Sequence, residues 1–305
     1  MLFTSLAIKV QCLFFLGVRN NTLAGGCSST KWREELETKT FAVMMKKAGY
    51  RTMYAGKYLN QYGTRAAGGV GHVPPGWDWW VGLVGNSKYY NYTLSINGKP
   101  QRHGDDYVKD YLTDVIRRQS VRFLDQVSRS SKPDSPFLMV LAPPAAHAPF
   151  TPAPQFRERF RDETAPRTKA FNRDTSQDPA KHWLMMSEPH TMSNETVKKV
   201  DEVFRNRWRT LMSVDVMVEK VVHALEQYKM LDNTYILLTS DHGYHLGQFG
   251  MPLDKRLPYD FDIRVYFSVT VNKETITSNL NSDTILDARS QYHPGSERRG
   301  AGADH

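Results

Sequence analysis

The chain has 305 residues, with 40 Lys and Arg against 32 Asp and Glu, a formal charge of +8, and 40% hydrophobic and 11% aromatic residues. That is apolar material for one large domain or two small ones, and it excludes a disordered or collagen-like chain. Two cysteines, with no C-x-x-C or paired Cys/His spacing, exclude a disulfide framework and argue against structural zinc. The excess of base attracts polyanions. An acidic polysaccharide fits that balance as well as a nucleic acid does, and no nucleic-acid motif accompanies the scattered Lys and Arg.

Residues 1–18 form an apolar stretch broken by Lys9, too short to span a bilayer and without the charged start or small-residue cleavage site of a secretory signal. No other segment is apolar for long enough to give a stable membrane span. Sequons at Asn20, Asn91 and Asn194 are compatible with passage through a secretory compartment. Over 38–50, Phe41, Met44, Met45 and Ala48 recur at helical spacing and stop at Gly49. RTMYAGKY then has strand-edge composition and delivers Lys57 just past Gly56. Residues 64–80 are rich in Gly, Pro and Trp. NSKYYNYTLSINGK reads as a hairpin turning at Asn97-Gly98, a surface excursion between core elements. An amphipathic helix over 105–128 leads into PFLMVLAPP, an apolar run of the kind covered on both faces in a parallel sheet.

Residues 151–194 are polar and weakly periodic, the pattern of loop with short helices. The clearest helix covers 203–229, with Phe204, Trp208, Leu211, Val218, Val222 and Leu225 on one stripe. TYILLTS follows as a second buried strand and runs into DHGYHLGQFG. Past Val269 the pattern decays, and SNLNSDTILDARSQYHPGSERRGAGADH packs as no complete element. Alternating helices and strands argue for α/β architecture.

Lys57, His147 and the pair Asp241-His242 sit at three strand ends that converge on one edge of a parallel sheet, where α/β folds place their ligands. Asp241 is a hard oxygen ligand suited to a divalent cation such as calcium, His242 adds a nitrogen, and Lys57 with Lys255 suits a tetrahedral oxyanion. Each signal has a bland counterpart. Asp241-His242-Gly243 is equally a strand-ending turn, His147 a loop histidine bonded to a carbonyl, and the two lysines solvated side chains.

GYRTMYAGKYLNQYG, HVPPGWDWW, NSKYYNYTLSINGK, DYLTDV, KHWLM, RWRTLMSVD, NTYILLTSDHGYHLGQFGMPLDKR and YDFDIRV, in unbroken order over about 20–265, resemble the sulfatase family. The likeness is strongest to the branch holding N-acetylglucosamine-6-sulfatases and extracellular heparan sulfate 6-O-endosulfatases. The resemblance implies an alkaline-phosphatase-like α/β fold with a mostly parallel central sheet flanked by helices, incomplete at both ends. It implies hydrolysis of the 6-sulfate of glucosamine in heparan sulfate or related glycosaminoglycans, in a lysosomal or secreted setting. It further implies that Asp241 and His242 bind calcium, that Lys57 and Lys255 contact sulfate, that His147 lies near the leaving oxygen, and that His245 in the GYH segment has a catalytic part.

The departures from the family pattern matter as much. Family members carry N-terminal paired aspartates for calcium and a C-x-P-S-R block whose cysteine becomes a formylglycine, and neither is in this sequence. Cys27, in NNTLAGGCSS, matches a non-catalytic family cysteine, and Cys12 has no modification signal around it. The expected organisation is therefore a non-family segment over 1–18, a partial sulfatase domain over 19–270 and a degenerate tail over 271–305. Either an active glycosaminoglycan sulfatase has been cut short, or the chain is an inactive sulfatase-fold protein that binds sulfated glycans. A phosphate-ester hydrolase of the same superfamily fits less well, because the further Asp and His ligands of its second metal ion are not evident.

Overall fold

The structure is a computed structural model, describing residues 21–130, 135–178, 181, 185, 190–255, 259–271 and 274–280, the last as backbone alone. Residues 1–18, Cys12 and Asn20 therefore lie outside the described residues, as does the tail beyond 280.

Helix α1 (Phe41–Lys47) ends at Gly49, whose φ of +86° closes the helix as the sequence suggests. Strand β1 (Arg51–Lys57) is no edge. It lies at the centre of the buried part of the sheet, parallel both to β2 (Trp79–Leu83) and to β5 (Phe137–Ala142). The 86–99 segment turns at Asn97-Gly98, both at positive φ, as expected of a tight hairpin. Its strands are β3 (Tyr92–Ile96) and β4 (Lys99–His103), and they extend the sheet in the order β4-β3-β2-β1-β5 instead of leaving it. The sheet is consequently mixed: β2, β1 and β5 run parallel, and the hairpin adds antiparallel pairs.

Alternation along the strands feeds two covered faces. Met53, Ala55, Val81, Met139 and Leu141 point into one core. There they meet Val115, Ile116, Phe123 and Leu124 of helix α3 (Leu112–Ser128) and Met217, Val221 and Leu225 of helix α4 (Asn194–Gln227). Tyr54, Trp80, Leu138 and Val140 point the other way, into an aromatic cluster with Trp32, Tyr58 and Tyr62. The Glu37 carboxylate is buried in that cluster, accepting from the Tyr58 hydroxyl at 3.0 Å and lying 2.6 Å from His72 Nε2.

The helix expected over 105–128 is two helices. Asp106 caps the short α2 (Tyr107–Asp110), accepting from Val108 N at 2.9 Å, and Tyr111 with ψ 115° breaks the helix before α3. In α4 the predicted stripe is buried at Phe204 and Leu225, whereas Trp208 is 41% and Leu211 40% exposed. Three arginines of α4 instead hold irregular backbone: Arg205 donates to Glu163 O (3.0 Å), Arg209 to Arg159 O (2.7 Å) and Arg207 to Ala146 O (2.7 Å). They satisfy carbonyls that no strand or helix pairs.

Strand β6 (Ile236–Thr239) does not join the sheet that holds β1 and β5. It pairs antiparallel with β7 (Val265–Val271), which pairs antiparallel with β8 (Glu274–Leu280). Glu274–Leu280, read as decayed pattern in the sequence, is thus a strand. Before β7, helix α5 (Asp260–Ile263) places Asp262 in the interior.

Candidate active site

Strand β1 ends on Gly56-Lys57. Gly56 has φ +120°, and a Cβ there would stand 2.0 Å from the Ala142 carbonyl oxygen, so the close approach of β1 and β5 requires glycine. The Tyr54 hydroxyl donates to the Lys57 carbonyl, fixing the backbone that carries the lysine. Tyr54 is fully buried, and burial, followed by the charge of Asp241, raises its pKa.

Strand β5 runs into the 143–150 turn, which carries His147. Tyr89 donates to His147 O at 2.9 Å, Tyr111 to Thr151 O at 3.1 Å, and Arg207 holds Ala146 O. The His147 imidazole Nδ1 lies 2.7 Å from Ala148 O. A carbonyl only accepts, so Nδ1 carries the proton and Nε2 is the site of proton exchange. Burial first, and then the positive charges of Lys57 and Lys255, hold the imidazole below its ordinary pKa.

Strand β6 leads into Asp241-His242-Gly243. His242 Nδ1 lies 2.6 Å from Gly243 O, which makes it the donor, and Nε2 lies 3.5 Å from Asp241 Oδ2. A Cβ at Gly243 would meet Phe261 O at 2.1 Å, and Gly243 N donates to Asp262 O at 2.8 Å, so the turn is seated on α5. Lys255 follows the bridge between His245 and Asp254, its own N donating to Asp254 Oδ1 at 2.8 Å.

Lys57, His147, Asp241, His242 and Lys255 line one cavity of about 790 Å³, bounded by the ends of β5 and β6. The expected convergence is therefore present, across two sheets instead of along one parallel edge. His245 is apart from it. It does not line the cavity, is 4% exposed, and its Nδ1 lies 2.9 Å from Asp262 Oδ1. Tyr244 lines the cavity, while His245 is buried against Asp262 of α5.

Residue types alone did not reveal Tyr89, Tyr111 or Arg207. Arg207 lines the cavity, with its guanidinium carbon 4.0 Å from the centre of the Tyr244 ring, and burial lowers its pKa. The one available signal is the alternation of Arg205, Arg207 and Arg209 on a helix bordering an irregular polar segment.

One carboxylate and one imidazole do not make a calcium site, which takes six to eight oxygens. Among the described residues no group of three or more His, Cys, Asp or Glu is placed to hold a metal. The donors present do not fit calcium by themselves.

The sulfatase family model matches residues 15–279. Bovine N-acetylglucosamine-6-sulfatase is 51% identical over 251 residues, covering 82% of this chain and 44% of its own length. The putative extracellular sulfatase Sulf-1 homolog of Caenorhabditis elegans is 42% identical over 79% of this chain and 33% of its own. The chain thus spans less than half of either relative. Among solved structures, BT4656 in complex with its substrate D-glucosamine-2-N,6-O-disulfate superposes with a TM-score of 0.58 at 22% identity, over 77% of this chain and 55% of that one. That likeness gives the alkaline-phosphatase-like fold. With most of its length matched by one family model and half its aligned residues identical to a member, the chain belongs to the sulfatase family, in the branch of N-acetylglucosamine-6-sulfatase.

Proposed function

We propose that the protein acts on sulfuric esters at the 6-position of glucosamine in heparan sulfate or a related glycosaminoglycan, and that the β5/β6 cavity is where the ester binds. The observation that carries this is the gathering of Lys57, Lys255 and His147 around one cavity in a chain of this family. Two ammonium groups oppose the charge on the sulfate oxygens. When a nucleophile bonds to the sulfur and the sulfur–oxygen bond to the sugar breaks, the departing oxygen would take the proton of the His147 imidazolium from Nε2, since Nδ1 is held by Ala148 O. The depressed pKa makes that imidazolium a stronger acid and favours its use under acidic conditions.

By family resemblance the attacking group is a formylglycine made from the cysteine of a C-x-P-S-R segment, and residues 1–305 hold no such segment. Acting alone, these residues would bind sulfated glycans and not cleave them. In the same way, Asp241 and His242 are proposed as two ligands of a divalent cation, which would need further oxygen donors besides these two. No step above passes through that cation. The sequons at Asn91 and Asn194 are both exposed, which supports a glycosylated protein of the lysosomal or extracellular space.

Titration calorimetry with 6-O-sulfated and 6-O-desulfated heparan fragments tests the proposal. The sulfated fragment binds more tightly, and less so as salt rises. Joint replacement of Lys57→Ala and Lys255→Ala removes two of eight net positive charges yet lowers affinity about a hundredfold, as expected for two charge-assisted contacts. A decline in mere proportion to net charge would overturn the assignment.

A further inference from the structure

Some arginines meet a carboxylate, whereas Arg205, Arg207 and Arg209 of α4 meet backbone carbonyls, and of these three Arg207 alone lines the cavity. Arg117 lies 3.6 Å from Asp114, Arg129 2.8 Å from Asp125, Arg167 2.7 Å from Asp201 and Arg264 2.9 Å from Asp260. Arg207 has no carboxylate within 4.0 Å among the described residues. Its contacts are the Ala146 carbonyl, at 2.7 Å from Nη1, the face of Tyr244, and the ring of Phe150 with its centre 5.9 Å away. A guanidinium has five N–H donors in one rigid plane. Stacking on Tyr244 occupies a face and not that edge, and the carbonyl takes one donor. The edge that remains belongs to a side chain lining the cavity.

The charge of Asp241 acts on Arg207 from beyond contact distance, and keeping a largely buried cation with no carboxylate in contact is costly unless a further anion meets its free edge. Lys57 and Lys255 reach the cavity from the end of β1 and from the segment after β6, while Arg207 enters from α4. Arg264 also lines the cavity but is paired with Asp260 at 2.9 Å, and Asp215, Asp241 and Asp254 line it as well. Lys57, Lys255 and Arg207 thus bring positive charge to the cavity from three different elements, an arrangement suited to a ligand with more than one negative group.

Resting on the sulfate-ester function proposed above, the geometry points to Arg207 as a specificity-determining residue that binds a second oxyanion of the glycan, beyond the 6-sulfate. The planar fork suits either another sulfate on the same glucosamine or the carboxylate of a neighbouring uronic acid. The holding of Ala146 O is then the means by which the fork is fixed in place.

Three probes separate the alternatives: glucosamine 6-sulfate, glucosamine carrying both 2-N- and 6-O-sulfate, and a disaccharide of a uronic acid with 6-sulfated glucosamine. Affinities are measured by calorimetry for the parent, Arg207→Gln, Arg207→Lys and Lys57→Ala. The expected result is a loss in Arg207→Gln at least about tenfold larger for a two-anion probe than for glucosamine 6-sulfate. Arg207→Lys keeps part of that difference, having charge without the fork. The probe that shows the effect identifies the second anion as sulfate or carboxylate. Equal losses on all probes would reduce Arg207 to a holder of the 143–150 turn and overturn the inference while leaving the proposed function intact. If the parent binds none of the probes, the sulfate-ester reading falls and this inference with it. Thermal unfolding of each variant checks folding, and if Arg207→Gln is unfolded, Arg207→Lys decides: an unchanged preference for two-anion probes overturns the inference.

Discussion

Replacement of Gly56 by alanine probes the point where backbone packing meets the site. An alanine Cβ would lie 2.0 Å from the Ala142 carbonyl oxygen and 2.5 Å from its carbon. Relieving that overlap parts β1 and β5 by roughly 1 Å or more, given carbon contact distances near 3.5 Å. Holding alanine at φ +120° adds about 1–3 kcal/mol, and each ladder bond lost at the end of the β1–β5 pair about 0.5–1.5 kcal/mol more. The expected cost is about 3–5 kcal/mol. Gly69→Ala is the control, because Gly69 has φ +75° with nothing within 4 Å of a Cβ, so it carries the backbone strain alone, about 1 kcal/mol. Urea unfolding followed by tryptophan fluorescence and by circular dichroism measures both variants, and the parting of strands at Gly56 also displaces Lys57 and weakens sulfated-glycan binding. Equal stability losses in the two variants, with glycan affinity unchanged in Gly56→Ala, would refute the claim that the β1–β5 approach sets the lysine.

Leu124 is fully buried between the sheet and α4, and Leu124→Ala is expected to cost about 2–5 kcal/mol in the same unfolding experiment. Because the folded pKa of His147 lies below its unfolded value of about 6.5, the unfolded state takes up the proton first. Its contribution to stability is thus complete above that pH and is lost as pH falls toward the folded value, and His147→Gln should make stability between pH 7 and 5 fall less steeply. Calcium binding to residues 1–305 is expected to be roughly millimolar or weaker, and micromolar binding by calorimetry would mean a donor set beyond Asp241 and His242. With no C-x-P-S-R segment in the sequence, these residues alone are expected to hydrolyse neither 4-methylumbelliferyl sulfate nor glucosamine 6-sulfate above background, even with the formylglycine-generating enzyme co-expressed. Turnover lost in Lys57→Ala would show that a nucleophile is present after all.

Local signals in the sequence were legible wherever a single element decides them. Gly49 ends α1, Asn97-Gly98 turns the hairpin, and PFLMVLAPP is the buried strand β5, because helix closure, turn geometry and two-sided burial each leave a local pattern. Strand partnership is set by long-range packing and left none. TYILLTS and RTMYAGKY are similarly apolar, yet one pairs antiparallel in a second sheet and the other lies between two parallel neighbours. The polar composition of Glu274–Leu280 hid a strand whose pairing to β7 rests on backbone bonds. At the site, the residues that carry charge into the cavity were legible as strand-end Lys, His and Asp, whereas their supports were not. Tyr89 and Tyr111 look like ordinary core aromatics until their hydroxyls meet the backbone around His147. His245 and Tyr244 are neighbours in sequence, yet Tyr244 lines the cavity and His245 is buried against Asp262, a difference set by the packing of α5.

The most direct test of the central claim is a crystal structure of the protein with glucosamine 6-sulfate. The account predicts the sulfate in the β5/β6 cavity, within hydrogen-bonding distance of both the Lys57 and Lys255 Nζ atoms, with the ester oxygen turned toward His147 Nε2. A sugar seated instead in the basic groove of Arg117, Arg122 and Lys220, on the other side of α4, with none in the cavity, would contradict it.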